Sequence, residues 1–304
     1  MTILKCIDPA RESAPAHALL SADERGQHRW WRVLAVMAAA IIPAVFIGSV
    51  VQFGVVQPLF HALGDEADVA KIGVVAIYMA ALFGVALLSL GWATRRLHGR
   101  PAMSLVESST HRFTLRGVAF GFLAYGVLML ALAVIREPSA VASSFEDKGA
   151  AQLALTGLPL LAAFLIQGSA EEALLRGYMP QIFMRWVRKP WVALLIPTVV
   201  FALLHLGYGT GHFVSSALFA MFAVTVVLMR GQLSEVCGAH AANNFVIAWL
   251  LSDIDDATAG VVEGIVVGDI IADLALYIGF VALLVWRTHR LKSNPEPLLH
   301  TAEA

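Results

Sequence analysis

Charge is scarce in this chain. Asp, Glu, Lys and Arg make up 14% of its residues and hydrophobic residues 59%, whereas a soluble domain carries roughly 25% charge. Mean hydropathy is +0.74. The shortage argues against a soluble globular fold. Cysteine is nearly absent too. Cys6 and Cys237 are the whole complement, too far apart in the expected topology to pair and in no C-x-x-C arrangement, so neither a disulfide framework nor a cysteine-based metal site is expected. There is no glycine-rich phosphate loop, no H-E-x-x-H helix motif and no basic-aromatic pattern for nucleic acid. Internal repeats are missing as well. A net charge of −1 says little about partners, because the placement of the charges carries the information.

What the chain does have is apolar runs long enough to cross a bilayer, which takes about 20 residues. Eight occur, near 33–56, 70–93, 115–135, 151–179, 191–208, 213–229, 236–251 and 266–286. Most lack a polar face, as expected of membrane spans rather than surface helices of a soluble protein. The fourth is too long for a straight crossing, so its end leaves the bilayer or is buried in protein. The expected fold is all-α: a polytopic membrane bundle of about eight transmembrane helices. Residues 1–28 are polar and read as a flexible cytoplasmic tail rather than a cleavable signal. Residues 29–287 read as one membrane domain and 288–304 as a second cytoplasmic tail.

Basic residues alternate with non-basic connections along the whole chain. Arg25, Arg29 and Arg32 precede the first run; Arg95, Arg96 and Arg100 follow the second; Arg185, Arg188 and Lys189 follow the fourth. Arg230 follows the sixth, and Arg287, Arg290 and Lys292 the eighth. The connections between them are acidic, mixed or uncharged, as in "QPLFHALGDEAD", "REPSAVASSFEDKG", "GYGTG" and "SDIDD". Positive charge stays on the cytoplasmic side, which places both termini there.

Three polar constellations interrupt the apolar runs. In "FLIQGSAEEALLRG", Glu172 and Arg176 lie four apart on one helix face and can pair. Glu171 points about 100° away and is left spare. In "FALLHLGYG", Phe201 and His205 are four apart. Glu171 lies 17 residues before Arg188 and His205 17 after it, so a hairpin turning at Arg188 brings them to similar depth. In "GAHAANNFV", His240 and Asn244 share a face, with Asn243 off it. Each constellation alone has a plainer reading: carboxylates in interfacial water, or a histidine and an asparagine bonding between helices. Ionisable and polar groups on three separate membrane helices point instead to one functional pocket. Asp269, Asp273, His212 and Glu235 sit at span ends, where exposure to interfacial water explains them.

Glu171-Glu172-x-x-x-Arg176, Phe201-x-x-x-His205 and His240-x-x-x-Asn244 together resemble, in order, the motifs of the CPBP family, which comprises type II CAAX prenyl endopeptidases and bacteriocin-processing intramembrane proteases. The resemblance covers about residues 165–250. It implies an intramembrane endopeptidase acting on a membrane-associated protein or peptide. Glu171 and His205 would activate a water, His240 and Asn244 would bind the oxyanion, and Glu172, Arg176 and Phe201 would support the site. No cofactor is favoured. A zinc version, with Glu171, His205 and His240 as ligands, is the competing mechanism. The competing function is a non-catalytic immunity or scaffold protein of the same family; a transporter is disfavoured by the lack of two related halves. The expected partners are the lipid bilayer and a membrane-associated polypeptide, with no nucleic acid, and the expected location is a bacterial inner membrane.

Overall fold

The computed structural model describes residues 9–21, 26–63, 68–251 and 264–293. Cys6, the "SDIDD" connection and residues 294–304 of the expected second tail lie outside them. The helices, in chain order, are α1 (Pro9–Leu20), α2 (Trp30–Val51), α3 (Gln57–Leu63), α4 (Asp68–Ala93), α5 (Leu115–Arg136), α6 (Pro138–Glu172), α7 (Met179–Val187), α8 (Pro190–Leu204), α9 (Thr210–Arg230), α10 (Ser234–Val246) and α11 (Val267–Ser293). Widened π-helical turns extend α2 (Gln52–Val56), α4 (Thr94–His98), α6 (Ala173–Tyr178) and α10 (Ile247–Leu251). No strand occurs among the described residues. The protein is an all-α polytopic membrane bundle.

Seven helical segments among the described residues are long and apolar enough to cross a membrane: Trp30–Leu63, Val69–His98, Leu115–Arg136, Lys148–Val187, Pro190–Tyr208, Thr210–Arg230 and Val267–Arg290. The eighth expected span, 236–251, is helical but is not among them. Its first half is enclosed by protein, with residues 234–242 all buried. A helix that neighbours cover on all sides needs no apolar exterior, so it can carry His240, Asn243 and Asn244.

Hydrogen bonds fix how the segments run. On one face, Arg32 of α2 donates to the carbonyl of Leu97 at the end of α4. On the same face Thr114, the N-cap of α5, donates to Ser234 of α10, and Arg230 of α9 donates to Thr288 of α11. On the other face Arg136 of α5 pairs with Asp269 of α11. There Trp249, just past α10, donates to the carbonyl of Leu153 of α6. The α10 segment thus runs the full depth of the bundle, 18 residues or about 27 Å at 1.5 Å per residue. Counting it, eight segments alternate in direction, and the start of α2 and the end of α11 share the basic face. Exposed tryptophans gather at the same end: Trp30, Trp31, Trp92, Trp186, Trp191 and Trp286.

Close helix approaches explain several glycines. A Cβ on Gly121 of α5 would overlap the Glu235 carbonyl, and one on Gly238 of α10 would overlap the Val118 carbonyl. Each helix therefore lays a glycine against the other's backbone. The aromatic side chains of Tyr125, Phe219, Phe222, Tyr277 and Phe280 fill the space between α5, α9 and α11.

Three sequence expectations change here. The leader expected to be a flexible tail contains α1, whose Ala16, Leu19 and Leu20 are fully buried and whose Leu19 carbonyl accepts from Gln181. The "REPSAVASSFEDKG" connection is the start of α6, which breaks at Gly149 (φ 64°). Glu235 does not face water: it is 1% exposed and binds Arg230 at 2.9 Å and Arg287 at 3.6 Å. Its cations come from α9 and α11, so spacing along α10 could not show them. Asp269 is partly exposed and paired, in line with the interfacial reading.

Candidate active site

The site is built where α6, α8 and α10 meet. Gln167, Glu171 and Glu172 lie on the last turns of α6. Gly168 allows the approach to α10: a Cβ there would stand 3.2 Å from the Ala241 nitrogen and 3.3 Å from the Cys237 carbonyl and the His240 Cβ. Directly after Glu172 the helix widens into the π turn Ala173–Tyr178, a feature frequent at functional sites. The hairpin that follows turns at Arg188, which takes a left-handed conformation (φ 53°), at the position the sequence suggests. α8 then runs to Leu204 and is stopped by "HLGYG", with Gly209 at φ 97°.

Glu172 is fully buried and Arg176 nearly so. Their ion pair measures 3.0 Å, Arg176 Nη1 to Glu172 Oε1. The guanidinium also lies over the Phe201 ring, 4.7 Å from its centroid. His240 Nδ1 lies 2.8 Å from the same Glu172 oxygen. Because a carboxylate oxygen accepts, Nδ1–H donates, and Nε2 is the ring nitrogen left facing away from Glu172. That nitrogen is 3.7 Å from Glu171 Oε2. The Glu171 side chain is 20% exposed, that of Glu172 not at all. The two adjacent carboxylates thus have separate surroundings.

His205 caps the C-terminal end of α8. Its Nδ1 lies 2.8 Å from the Phe201 carbonyl, one turn back on its own helix. It donates there, leaving Nε2 as the acceptor. The Phe201 ring stands beside His205 at 4.5 Å and edge-on to His240 at 5.8 Å. His240 Nε2 stands near Glu171 at 3.7 Å, beyond hydrogen-bond distance. Asn244 Nδ2 donates to Gln167 Oε1 at 3.3 Å, and Gln167 Nε2 donates to Glu171 Oε1 at 3.0 Å. Asn243, placed off the motif face by helix geometry, donates to Asn244 at 3.0 Å.

Sequence reasoning missed Gln167 and Tyr125. Gln167 stands four residues before Glu171 inside the same quoted stretch, so its shared face was available as a signal. Tyr125 had none, since α5 lies far away in sequence. Zinc would need Glu171, His205 and His240 to converge. Among the described residues no group of three or more His, Cys, Asp or Glu is gathered to hold a metal. Glu171, His205 and His240 are thus not gathered as a three-ligand set. Cys237 is buried and free.

All of these residues except Tyr125 fall within the part of the chain that matches a known family. Residues 154–246 match the Rce1-like type II CAAX prenyl endopeptidases. The Rce1-like segment holds every motif residue described above, and it agrees with the resemblance carried by the three motifs. At family level it supports a CAAX-protease-like intramembrane endopeptidase, a peptide hydrolase. A relative outside the segment's bounds extends the likeness: the uncharacterized protein YyaK of Bacillus subtilis (strain 168) is 26% identical over 239 residues, covering 72% of this chain and 76% of that protein. No solved structure matches significantly.

Proposed function

We propose that this protein is a glutamate-type intramembrane endopeptidase in which Glu171 is the general base. The observation that carries the reading is the division between the two carboxylates: Glu172 is sealed in and bound by Arg176 and His240, whereas Glu171 keeps partial access and faces His240 Nε2. A buried carboxylate with two donors is structural. A neighbour with an accessible oxygen is suited to take a proton from water.

In this mechanism Glu171 deprotonates a water, which attacks the carbonyl carbon of a peptide bond. Negative charge develops on the carbonyl oxygen, where fixed donors stabilise it. Asn244 supplies the second hydrogen of its amide nitrogen, the first being used on Gln167. Collapse of the tetrahedral intermediate expels the amine, which takes the proton carried by Glu171. Glu172 fixes the tautomer and plane of His240, as the carboxylate partner of a catalytic histidine does elsewhere. His205 presents Nε2 as a second proton acceptor near the Phe201 ring. The roles of His240 and His205 thus differ from the sequence expectation. His240 sits against the base, and His205 stands one aromatic ring away.

The substrate class is a membrane-associated protein or peptide, with the bilayer as the other partner. The basic face, ringed with tryptophans, is the cytoplasmic one by the positive-inside rule and aromatic-belt placement. Both ends of the bundle then lie in the cytoplasm. A bacterial relative and the all-helical architecture favour a bacterial inner membrane.

The test is quantitative profiling of membrane-protein termini in cells carrying Glu171→Gln against the parent. The mechanism predicts that one or more cut termini disappear and their uncut precursors accumulate. Identical profiles would reject the protease reading.

A further inference from the structure

A hydrogen-bonded chain enters the site from outside the motifs. Tyr125 Oη is 3.0 Å from Asn243 Oδ1, Asn243 Nδ2 is 3.0 Å from Asn244 Oδ1, Asn244 Nδ2 is 3.3 Å from Gln167 Oε1, and Gln167 Nε2 is 3.0 Å from Glu171 Oε1. Its direction follows from its end. An ionised Glu171 can only accept, so Gln167 must turn its amide nitrogen to it. The Gln167 oxygen then faces Asn244, which must donate. The Asn244 oxygen faces Asn243, which must donate in turn, and the Asn243 oxygen faces Tyr125, whose hydroxyl supplies the first hydrogen. Four donors point one way, at one carboxylate oxygen.

We infer that Tyr125, Asn243 and Gln167 are positioning residues for Glu171, acting through this one-directional chain. The inference rests on Glu171 being the reactive carboxylate of the proposed mechanism. Aligned hydrogen bonds polarise one another in a low-dielectric interior, so each link strengthens the next. The chain occupies Oε1 of Glu171 and leaves Oε2, the oxygen facing His240, for the water. It also sets the amide of Asn244, because an Asn244 flipped by 180° would break both of its links. Tyr125 is the anchor. It is fully buried, and its ring is held by Phe219, Phe222, Tyr277 and Phe280. A hydroxyl so fixed can hold the far end of the chain still. Tyr125 lies outside residues 154–246, so the matched segment alone does not contain the whole arrangement.

The test combines spectroscopy with kinetics on the purified full-length protein in detergent. Infrared difference spectra of parent minus Glu171→Gln isolate the Glu171 carboxylate bands. Gln167→Met, which keeps the side chain's length, is expected to shift those bands. Tyr125→Phe, which removes only the hydroxyl, is expected to shift them in the same direction by less. Neither Gln167→Met nor Tyr125→Phe should change that spectral region in a Glu171→Gln background. On a cleaved peptide, Gln167→Met should lower kcat on the order of 10- to 100-fold with KM little changed, as expected of a misplaced catalytic group. Parental bands in Gln167→Met or in Tyr125→Phe would overturn the inference whatever the protein's activity. An active Glu171→Gln protein would instead reject the mechanism, and the spectra would still decide the chain.

Discussion

His240 joins the two adjacent glutamates of α6 by opposite edges of one ring: Nδ1 is 2.8 Å from Glu172 and Nε2 is 3.7 Å from Glu171. Glu172 carries the structural load in this arrangement, with Arg176 bound to the same oxygen. Glu171 keeps partial access, and the proposed mechanism uses its open oxygen.

Removing one partner of the buried ion pair should damage the fold. Arg176→Met leaves Glu172 buried without its cation and also removes the guanidinium from the Phe201 ring. Loss of one member of a buried pair costs about 3–5 kcal/mol. A thermal unfolding scan of the detergent-solubilised variant should show a marked drop in Tm, or the variant should fail to accumulate. Glu171→Gln should unfold close to the parental temperature.

His240 and His205 should separate by the severity of their loss. His240→Gln breaks contact with both glutamates, and loss of a positioned acid or base typically costs about 10²–10⁴-fold in rate. His205→Gln should be the milder variant, since His205 is held by a carbonyl of its own helix. Cleavage rates of the two purified variants on one substrate check the ranking; equal losses would place His205 in direct contact with the reacting atoms.

Glycine positions should sort by what a methyl group would meet. Gly121→Ala and Gly238→Ala push a Cβ into backbone carbonyls of the facing helix. Overpacking of this kind costs typically about 1–3 kcal/mol and occasionally more. Gly73→Ala in α4 meets nothing within 4 Å and should be neutral or slightly stabilising. Unfolding temperatures of the three variants provide the comparison.

Membrane orientation is testable by labelling single cysteines in a Cys6→Ser background, with Cys237 buried. Cysteines at Arg95 and Arg188 should react with an impermeant thiol reagent only after the membrane is opened. A cysteine at Gln57, on the opposite face, should react in intact cells. The reverse pattern would invert the assignment of the basic face. Metal removal gives a parallel check: activity of the purified enzyme should survive a strong chelator, and its loss with recovery on adding zinc would favour the metal mechanism.

Much of this arrangement can be read from local spacing. The Glu172–Arg176 pair follows from an i, i+4 separation, and the hairpin at Arg188 follows from a basic turn between two apolar runs. Contacts set by side-chain direction across helices were not legible. Spacing alone could not say that one ring, His240, would bind Glu172 by Nδ1 and bring Nε2 within 3.7 Å of Glu171. The same holds for Glu235, whose cations come from α9 and α11, and for Tyr125, whose link to the site crosses from α5. The packed α1 was hidden because its few buried apolar residues lie in a polar leader. The crossing by α10 was read from apolarity, yet its polar residues are tolerated because protein encloses them.

The central claim is that Glu171 does chemistry while Glu172 does not. Its most direct test is the cleavage rate of purified, folded Glu171→Gln relative to the parent on the substrate found by terminal profiling. The account predicts a loss of at least about 100-fold, in the range for removal of a general base, at an unfolding temperature close to the parental one. A folded Glu171→Gln protein that cleaves at the parental rate would contradict it.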